Sequence, residues 1–120
     1  MINQNIGKHL YLVHWNETEA QELAAILQEK GWIVTTLHNS GQFKMRELRS
    51  HSPVALLISL RRLPSHGREI AGALWSSKWG KEIPIIFFDG KPDDLDALRK
   101  KFPAATFTTW NGIFAILSNL

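Results

Sequence analysis

A chain of 120 residues is long enough to form one domain with its own hydrophobic core. Its 44% hydrophobic and 21% charged residues exclude a disordered chain, and the absence of cysteine excludes disulfides, thiol catalysis and thiolate metal sites. No window reaches the roughly eighteen apolar residues of a spanning helix. We therefore predict a single domain over residues 1–120, cytoplasmic and not bound to a membrane. The net charge of +3 is modest for a protein that binds nucleic acid.

Five times along the chain, a short apolar run is followed by a polar turn and a segment of helical period. Such strands, apolar almost throughout and alternating with helices, are typical of a parallel sheet with helices on both faces. Right-handed crossovers between five units most often produce the flavodoxin-like strand order 2-1-3-4-5. We predict this α/β fold, with strands at residues 9–13, 32–37, 54–58, 84–88 and 105–109.

In chain order, the first predicted helix has the clearest boundaries. Asn16 caps it with Glu19 as its capping-box partner, and Gly31 ends it. The second and third helices are predicted at residues 42–50 and 67–79. The fourth follows Pro92, with carboxylates in its first turns and basic residues at its end, as the helix dipole favours. The last follows Asn111 and is mostly apolar.

Four segments carry a resemblance to a known family, in the order and spacing of that family. They are YLVHWN at residues 11–16, LLISLRRLPSHGREIAGAL at 56–74, PIIFFDG at 84–90 and TFTTW at 106–110. They resemble the strands and loops around the phosphorylation site of receiver domains in two-component response regulators. The resemblance covers essentially the whole chain and implies a receiver-like fold, whose site lies at the carboxyl ends of the strands.

The resemblance also shows which residues of that site differ here. The two carboxylates that hold magnesium correspond to His14 and Trp15, and the phosphoacceptor corresponds to Ser59. The switch threonine or serine corresponds to Asp89, and the lysine that pairs with the phosphate corresponds to Thr109. Magnesium prefers several hard oxygen ligands, which an indole and a neutral imidazole do not supply. We therefore predict a degenerate site with no metal, no cofactor and no phosphotransfer.

The favoured function is a pseudo-receiver, a signalling or regulatory module that acts by protein–protein interaction without phosphorylation. The resemblance implies a contact face made by the fourth helix, the fifth strand and the last helix. It would serve a protein partner or a second copy of the chain. The candidate interface residues on this face are Arg99, Phe102, Trp110, Phe114 and Leu117.

An alternative function is the sensing of a small anion or a nucleotide. Cationic residues follow the third and fourth strands, and the amino termini of helices point toward the same end of the sheet. A cationic or uncharged pocket would then replace the acidic pocket of a receiver. The candidate anion-binding residues are Arg61, Arg62, Arg68 and Lys91.

A hydrolytic enzyme is the third alternative, because His14, Ser59 and Asp89 contain the side chains of a catalytic triad. In the predicted strand order Ser59 lies between the other two, which puts His14 and Asp89 about two strand spacings, roughly 10 Å, apart. The histidine of a triad must contact both partners, and no G-x-S-x-G elbow surrounds the serine. We therefore predict no enzyme, and no recognition motif indicates nucleic-acid binding.

Overall fold

A five-stranded parallel sheet forms the centre of the structure, a computed structural model that describes residues 8–14, 16–37, 53–61, 71–72, 76 and 82–119. The strand order is β2-β1-β3-β4-β5, and all four pairings are parallel. The order and the α/β class are those that the sequence predicts. The strands are β1 (His9–Val13), β2 (Ile33–Leu37), β3 (Ala55–Ser59), β4 (Ile85–Phe88) and β5 (Thr106–Thr108).

Three helices have bounds within the described residues: α1 (Glu17–Glu29), α2 (Pro92–Lys101) and α3 (Trp110–Leu117). They are the first, fourth and last of the predicted helices. The predicted helix at 42–50 lies outside the described residues, as does most of the one at 67–79. Within the latter, Ala71 and Gly72 have helical backbone. None of the described helices has the length and apolarity needed to span a bilayer.

The ends of α1 follow from local sequence. The Asn16 side chain accepts a hydrogen bond from the backbone amide of Glu19 at 3.0 Å, as predicted for the cap. At the other end Gly31 adopts a φ of 95°, a left-handed conformation that glycine adopts without steric cost. The Gly31 and Trp32 amides donate to the carbonyls of Gln28 and Leu27, which is the pattern of a Schellman motif.

Alternation along the strands divides the core into two layers, one on each face of the sheet. One layer contains Tyr11, Leu56, Ile58 and Phe87 and is covered by α2. The other layer is covered by α1 and α3 and contains Leu10, Leu12, Leu57, Ile86 and Phe88. Helices therefore lie on both faces, as expected for a parallel sheet whose strands are almost entirely apolar.

Two residues predicted for the contact face belong to this core instead. Phe102 is fully buried and packs on Phe87, with ring centroids 5.7 Å apart. Leu117 is also buried, in the layer beneath α1 and α3. Their prediction as interface residues is wrong, because an amphipathic helix buries its apolar stripe against its own sheet before any partner arrives.

Phe102→Ala tests the core position of this side chain. We expect the free energy of unfolding to fall by about 3–5 kcal/mol, since removal of a buried phenyl ring leaves a cavity. Ile33→Ala is the control, because Ile33 is 53% exposed and its loss should cost about 0.5 kcal/mol or less. Urea unfolding measures both values. Similar losses for the two variants would contradict the burial of Phe102.

Candidate functional site

The carboxyl edge of the sheet brings together four of the five positions that the sequence singles out. His14 directly follows β1, Ser59 ends β3, Asp89 follows β4 and Thr109 follows β5. Because these four strands are consecutive neighbours in the sheet, the four residues form one row. The fifth position, Trp15, lies outside the described residues.

His14 is enclosed at the beginning of this row, with 1% of its surface exposed. Its backbone amide donates to the Leu37 carbonyl on β2 at 2.9 Å. Its Nδ1 accepts a hydrogen bond from the Asn16 amide at 3.1 Å, and its Nε2 lies 3.2 Å from Oε2 of Glu19. The imidazole thus connects the end of β1 to the first turn of α1.

This contact corrects half of the predicted capping box. In a capping box the glutamate reaches back to the backbone amide of the cap residue. Here the Asn16 amide donates to His14, and the Glu19 carboxylate lies beside the far nitrogen of the same ring. The histidine therefore stands between the two groups that a capping box would join.

Ser59 is also buried, with 4% of its surface exposed, and it lies opposite Phe88 in the pairing of β3 with β4. Its Oγ accepts a hydrogen bond from the Arg61 amide at 3.3 Å. This bond closes a short turn at the end of the strand. The hydroxyl at the phosphoacceptor position is therefore hydrogen-bonded to the backbone two residues later.

Asp89 joins the end of β4 to the beginning of α3. Its Oδ1 accepts a hydrogen bond from the Trp110 amide at 3.0 Å, and its own amide donates to the Thr108 carbonyl at 3.0 Å. Its φ is 59°, a left-handed conformation that aspartate tolerates better than most residues with a Cβ. The Thr109 side chain caps the same helix by accepting from the Gly112 amide at 3.2 Å.

The Trp110 indole packs inward from this junction. Its ring lies against Phe88 with centroids 5.6 Å apart, and against Phe114 in an edge-on contact at 5.3 Å. The Lys30 ammonium lies 5.1 Å from the centroid of the Phe114 ring. Trp110 and Phe114 are both half-buried in contacts with their own domain. Their place in a partner interface stays a prediction.

An open depression of about 350 Å³ lies at this edge of the sheet. It has a cation and an anion in its wall, because exposed Arg61 and half-buried Asp89 both line it. The two charges balance among the described lining residues, because the fold brings a carboxylate from the neighbouring strand end to the arginine. That the pocket is cationic or uncharged stays a prediction. The described residues that line it are Leu23, Arg61, Asp89, Thr109, Trp110 and Asn111.

Of the other predicted anion-binding residues, the structure describes only Lys91. Lys91 is exposed at the cap position of α2 and is not among the lining residues. Arg62 and Arg68 lie outside the described residues. Sequence reasoning missed Leu23 and Asn111 as pocket residues. The strand-end rule that identified the site could have found Asn111, which lies two residues after Thr109, but it gave no signal for Leu23 on α1.

Magnesium does not fit the residues at these positions. The Nδ1 of His14 and the hydroxyl of Ser59 each accept a hydrogen bond from a backbone amide. Asp89 supplies one carboxylate, which accepts from the Trp110 amide. Magnesium requires near-octahedral coordination with hard oxygen ligands. Within the described ranges, no three His, Asp or Glu side chains are grouped so that they could hold a metal ion.

The three side chains of the triad alternative point to other partners. His14 has Asn16 at one ring nitrogen and Glu19 at the other, whereas a catalytic histidine contacts the serine and the acid. Ser59 accepts a hydrogen bond from the backbone amide of Arg61, and Asp89 accepts one from the backbone amide of Trp110. This geometry gives no support to nucleophilic catalysis at Ser59.

No protein-family model matches the sequence, and no curated protein matches it significantly. Several solved structures share its fold. A protein described as a response regulator from Chloroflexus aurantiacus superposes with a TM-score of 0.72 at 15% identity, over 93% of this chain and 95% of that one. For the bacteriophytochrome response regulator RtBRR the TM-score is 0.70 at 16% identity, and the match covers 94% of this chain and 77% of RtBRR. For response regulator TrrA from Thermotoga maritima, in complex with Mg²⁺-BeF, the TM-score is 0.66 at 20% identity. This match covers 85% of this chain and 84% of TrrA.

Substitutions of Asp89 separate its two local roles. Asp89→Ala should lower the free energy of unfolding by about 2 kcal/mol, with about 1 from the lost cap and about 1 from the left-handed backbone. Asp89→Asn keeps an acceptor and tolerates the conformation, so we expect a change within about 0.5 kcal/mol. Asp89→Gly tolerates the left-handed backbone but has no acceptor for the Trp110 amide. Its loss of unfolding free energy should therefore lie between those of the Asn and Ala variants. Urea unfolding followed by tryptophan fluorescence measures the series, and equal losses for Asn and Ala would contradict the capping role.

Proposed function

Since this chain has the fold of a response-regulator receiver domain, we propose that it is a receiver-like signalling module that acts through protein contacts without phosphorylation. The observation that carries the proposal is the state of the phosphorylation-site positions. His14, Ser59 and Asp89 each hold a nearby backbone amide at hydrogen-bond distance. These side chains stabilise the edge of the sheet, where His14 and Ser59 are buried and Asp89 is half-buried.

Phosphoryl transfer needs groups that are not found among the described residues of this edge. The charge that develops on the transferred phosphoryl group must be stabilised by a metal ion or by fixed cations. Thr109 occupies the lysine position and is committed to capping α3, while Arg61 is exposed on a turn and shares its depression with Asp89. The Ser59 hydroxyl is buried, so a donor would also have to displace the turn above it. For the same reasons we propose that the chain is not an enzyme.

A fixed link at the switch position supports an activity that does not depend on modification. Asp89 holds the amide of Trp110, the first residue of α3, and Trp110 in turn packs on Phe88 of β4. The end of β4 and the beginning of α3 are therefore joined by a polar contact and an aromatic contact. We propose that this junction keeps the module in one binding-competent conformation.

The proposed contact surface is the face made by α2, β5 and α3. β5 lies at the end of the described sheet, with Thr106 exposed and Phe107 half-buried. The exposed Arg99 guanidinium lies 5.3 Å from the centroid of the Phe107 ring. An arginine held on an aromatic ring loses little side-chain freedom on binding, and arginine is enriched at binding hot spots. Arg99 is therefore the residue of this face that we expect to matter most to a partner.

Incubation with an acyl phosphate and magnesium tests independence from phosphorylation. We expect the intact mass of the protein to stay unchanged, because a buried serine stands at the acceptor position and the described residues of the site do not fit magnesium. A receiver with an intact site, treated in parallel, shows that the donor is active. A stable phosphate adduct on the wild type that is absent from Ser59→Ala would contradict the proposal.

A second candidate function is the binding of a small anion in the depression beside Arg61. Its volume of about 350 Å³ lies within the range of small-molecule sites, and Arg61, Asn111 and Trp110 are among the described residues that line it. The Asp89 carboxylate in the same wall opposes an anion. This candidate therefore ranks below protein contact, and a ligand would have to reach Arg61 while avoiding Asp89.

A thermal-shift screen with inorganic phosphate and nucleotides tests this second function through opposite effects of two variants. If an anion binds here, Arg61→Ala should abolish its stabilising effect. Asp89→Asn should increase that effect, because it removes the repulsion while keeping the acceptor for the Trp110 amide. Arg99→Ala removes an exposed arginine elsewhere and serves as the control. A shift that survives Arg61→Ala would exclude this depression as the binding site.

A further inference from the structure

The depression at the carboxyl edge of the sheet contains two opposite charges that are not paired with each other. Arg61 is exposed and Asp89 is half-buried, and both are among the described residues that line it. Within the described part of the chain, the Arg61 guanidinium makes no ion pair with the Asp89 carboxylate. The wall of the depression therefore presents a cation and an anion as two separate groups.

Separate local contacts position these two residues. Arg61 lies in the turn after β3, where its backbone amide donates to the Ser59 hydroxyl at 3.3 Å. The Asp89 side chain is held by the first residue of α3, because its Oδ1 accepts from the Trp110 amide at 3.0 Å. Its second oxygen, Oδ2, has no hydrogen bond to any described residue. Since a carboxylate has about four acceptor sites, Asp89 retains the capacity to accept from a bound molecule.

Two apolar residues line the same depression. Leu23 comes from α1 and Trp110 from α3, and both are half-buried. The Trp110 indole is held by its ring contacts with Phe88 and Phe114, so its position is fixed before any ligand binds. The depression thus combines one cation, one anion and two apolar residues in about 350 Å³.

We propose that this depression binds a free α-amino acid with an apolar side chain. Such a molecule carries a carboxylate and an ammonium group on the same carbon atom. The ligand carboxylate pairs with the guanidinium of Arg61, and the ligand ammonium group donates to Oδ2 of Asp89. The ligand side chain lies toward Leu23 and Trp110. The inference is independent of the proposed function in protein contacts.

The pair of charges selects a zwitterion over simpler ligands. A small anion is attracted by Arg61 and repelled by Asp89, and for a small amine the two effects are exchanged. A neutral ligand pairs with neither charge. A long peptide carries its terminal ammonium group and its terminal carboxylate on different residues, so its termini supply only one of the two charges here. A free amino acid brings both charges at once and leaves neither residue opposed.

The expected affinity is modest, because the depression is open and Arg61 is exposed. Water competes for both charges, and each exposed ion pair contributes little on its own. For a ligand of this size in such a site we expect a Kd of about 1 mM. Binding this weak is measured well by NMR, which also locates the site through the amide signals that shift.

An amide NMR titration with L-leucine and two analogues tests the ligand class. Isocaproate has the same carbon skeleton as leucine without the ammonium group, and isoamylamine lacks the carboxylate. We expect leucine to bind at least about fivefold more tightly than either analogue, since each analogue loses one ion pair. The amide signals of Arg61, Asp89 and Trp110 should shift. Glycine should bind more weakly than leucine, because it has no side chain to contact the apolar residues.

Two variants test which residues hold the ligand. Arg61→Ala removes the cation, and Asp89→Asn removes the anion while keeping the acceptor for the Trp110 amide. Each should weaken the binding of leucine at least about fivefold. The matched control combines Arg99→Ala with Asp96→Asn, which removes the same two charges from exposed positions of α2 and should leave the Kd unchanged.

The effect of Asp89→Asn has opposite signs for a zwitterion and for a simple anion. Weaker binding of leucine to this variant supports the amino-acid site. Isocaproate that binds the wild type as tightly as leucine, and more tightly still after Asp89→Asn, would replace it with an anion site. Absence of any saturable shift with leucine, or shifts that both variants leave unchanged, would overturn the inference. None of these results bears on whether the chain acts through protein contacts, which the phosphorylation experiment and partner binding test separately.

Discussion

Burial of the parallel sheet on both faces is the constraint on which the rest of the structure depends. Strand residues alternate between two apolar layers, so a polar side chain within β3 or β4 would lose its hydrogen bonds with water. β3 is therefore apolar until Ser59, and β4 is apolar throughout, with Asp89 immediately after it. In these two strands the polar groups begin where the strand ends, and the parallel direction of the strands brings them to one edge. The candidate site is a consequence of this arrangement.

At that edge, polar side chains stabilise the fold in the place where a receiver domain performs phosphotransfer. Asp89 makes the most consequential contact, because its bond to the Trp110 amide orients α3 against β4. His14 connects the end of β1 to the beginning of α1 through its contacts with Asn16 and Glu19. Each contact satisfies a backbone amide that a strand or helix end leaves without an internal partner. In the described part of this edge, the polar side chains therefore have a structural role in the fold.

Several features could be predicted because they depend on neighbours within a few residues. Asn16 and Gly31 define the ends of α1 through bonds to adjacent turns, and the apolar runs identify the strands. Features that depend on another element could not be predicted. Phe102 has the spacing of a helix-face residue whether a sheet or a partner covers it, and only its contact with Phe87 decides between them. The Asn16 amide likewise bonds to His14 because the end of β1 brings the imidazole there.

The sequence by itself determined the class of the fold, the order of its strands and the types of side chain at the strand ends. These properties follow from hydrophobic period, caps and chain order, which are local or topological. Only the tertiary structure decided which groups those side chains bind, that Asp89 shares a depression with Arg61, and that Lys100 faces outward while Arg99 lies on Phe107. The reason is physical: the direction and partner of a side chain depend on atoms that packing brings from distant parts of the chain.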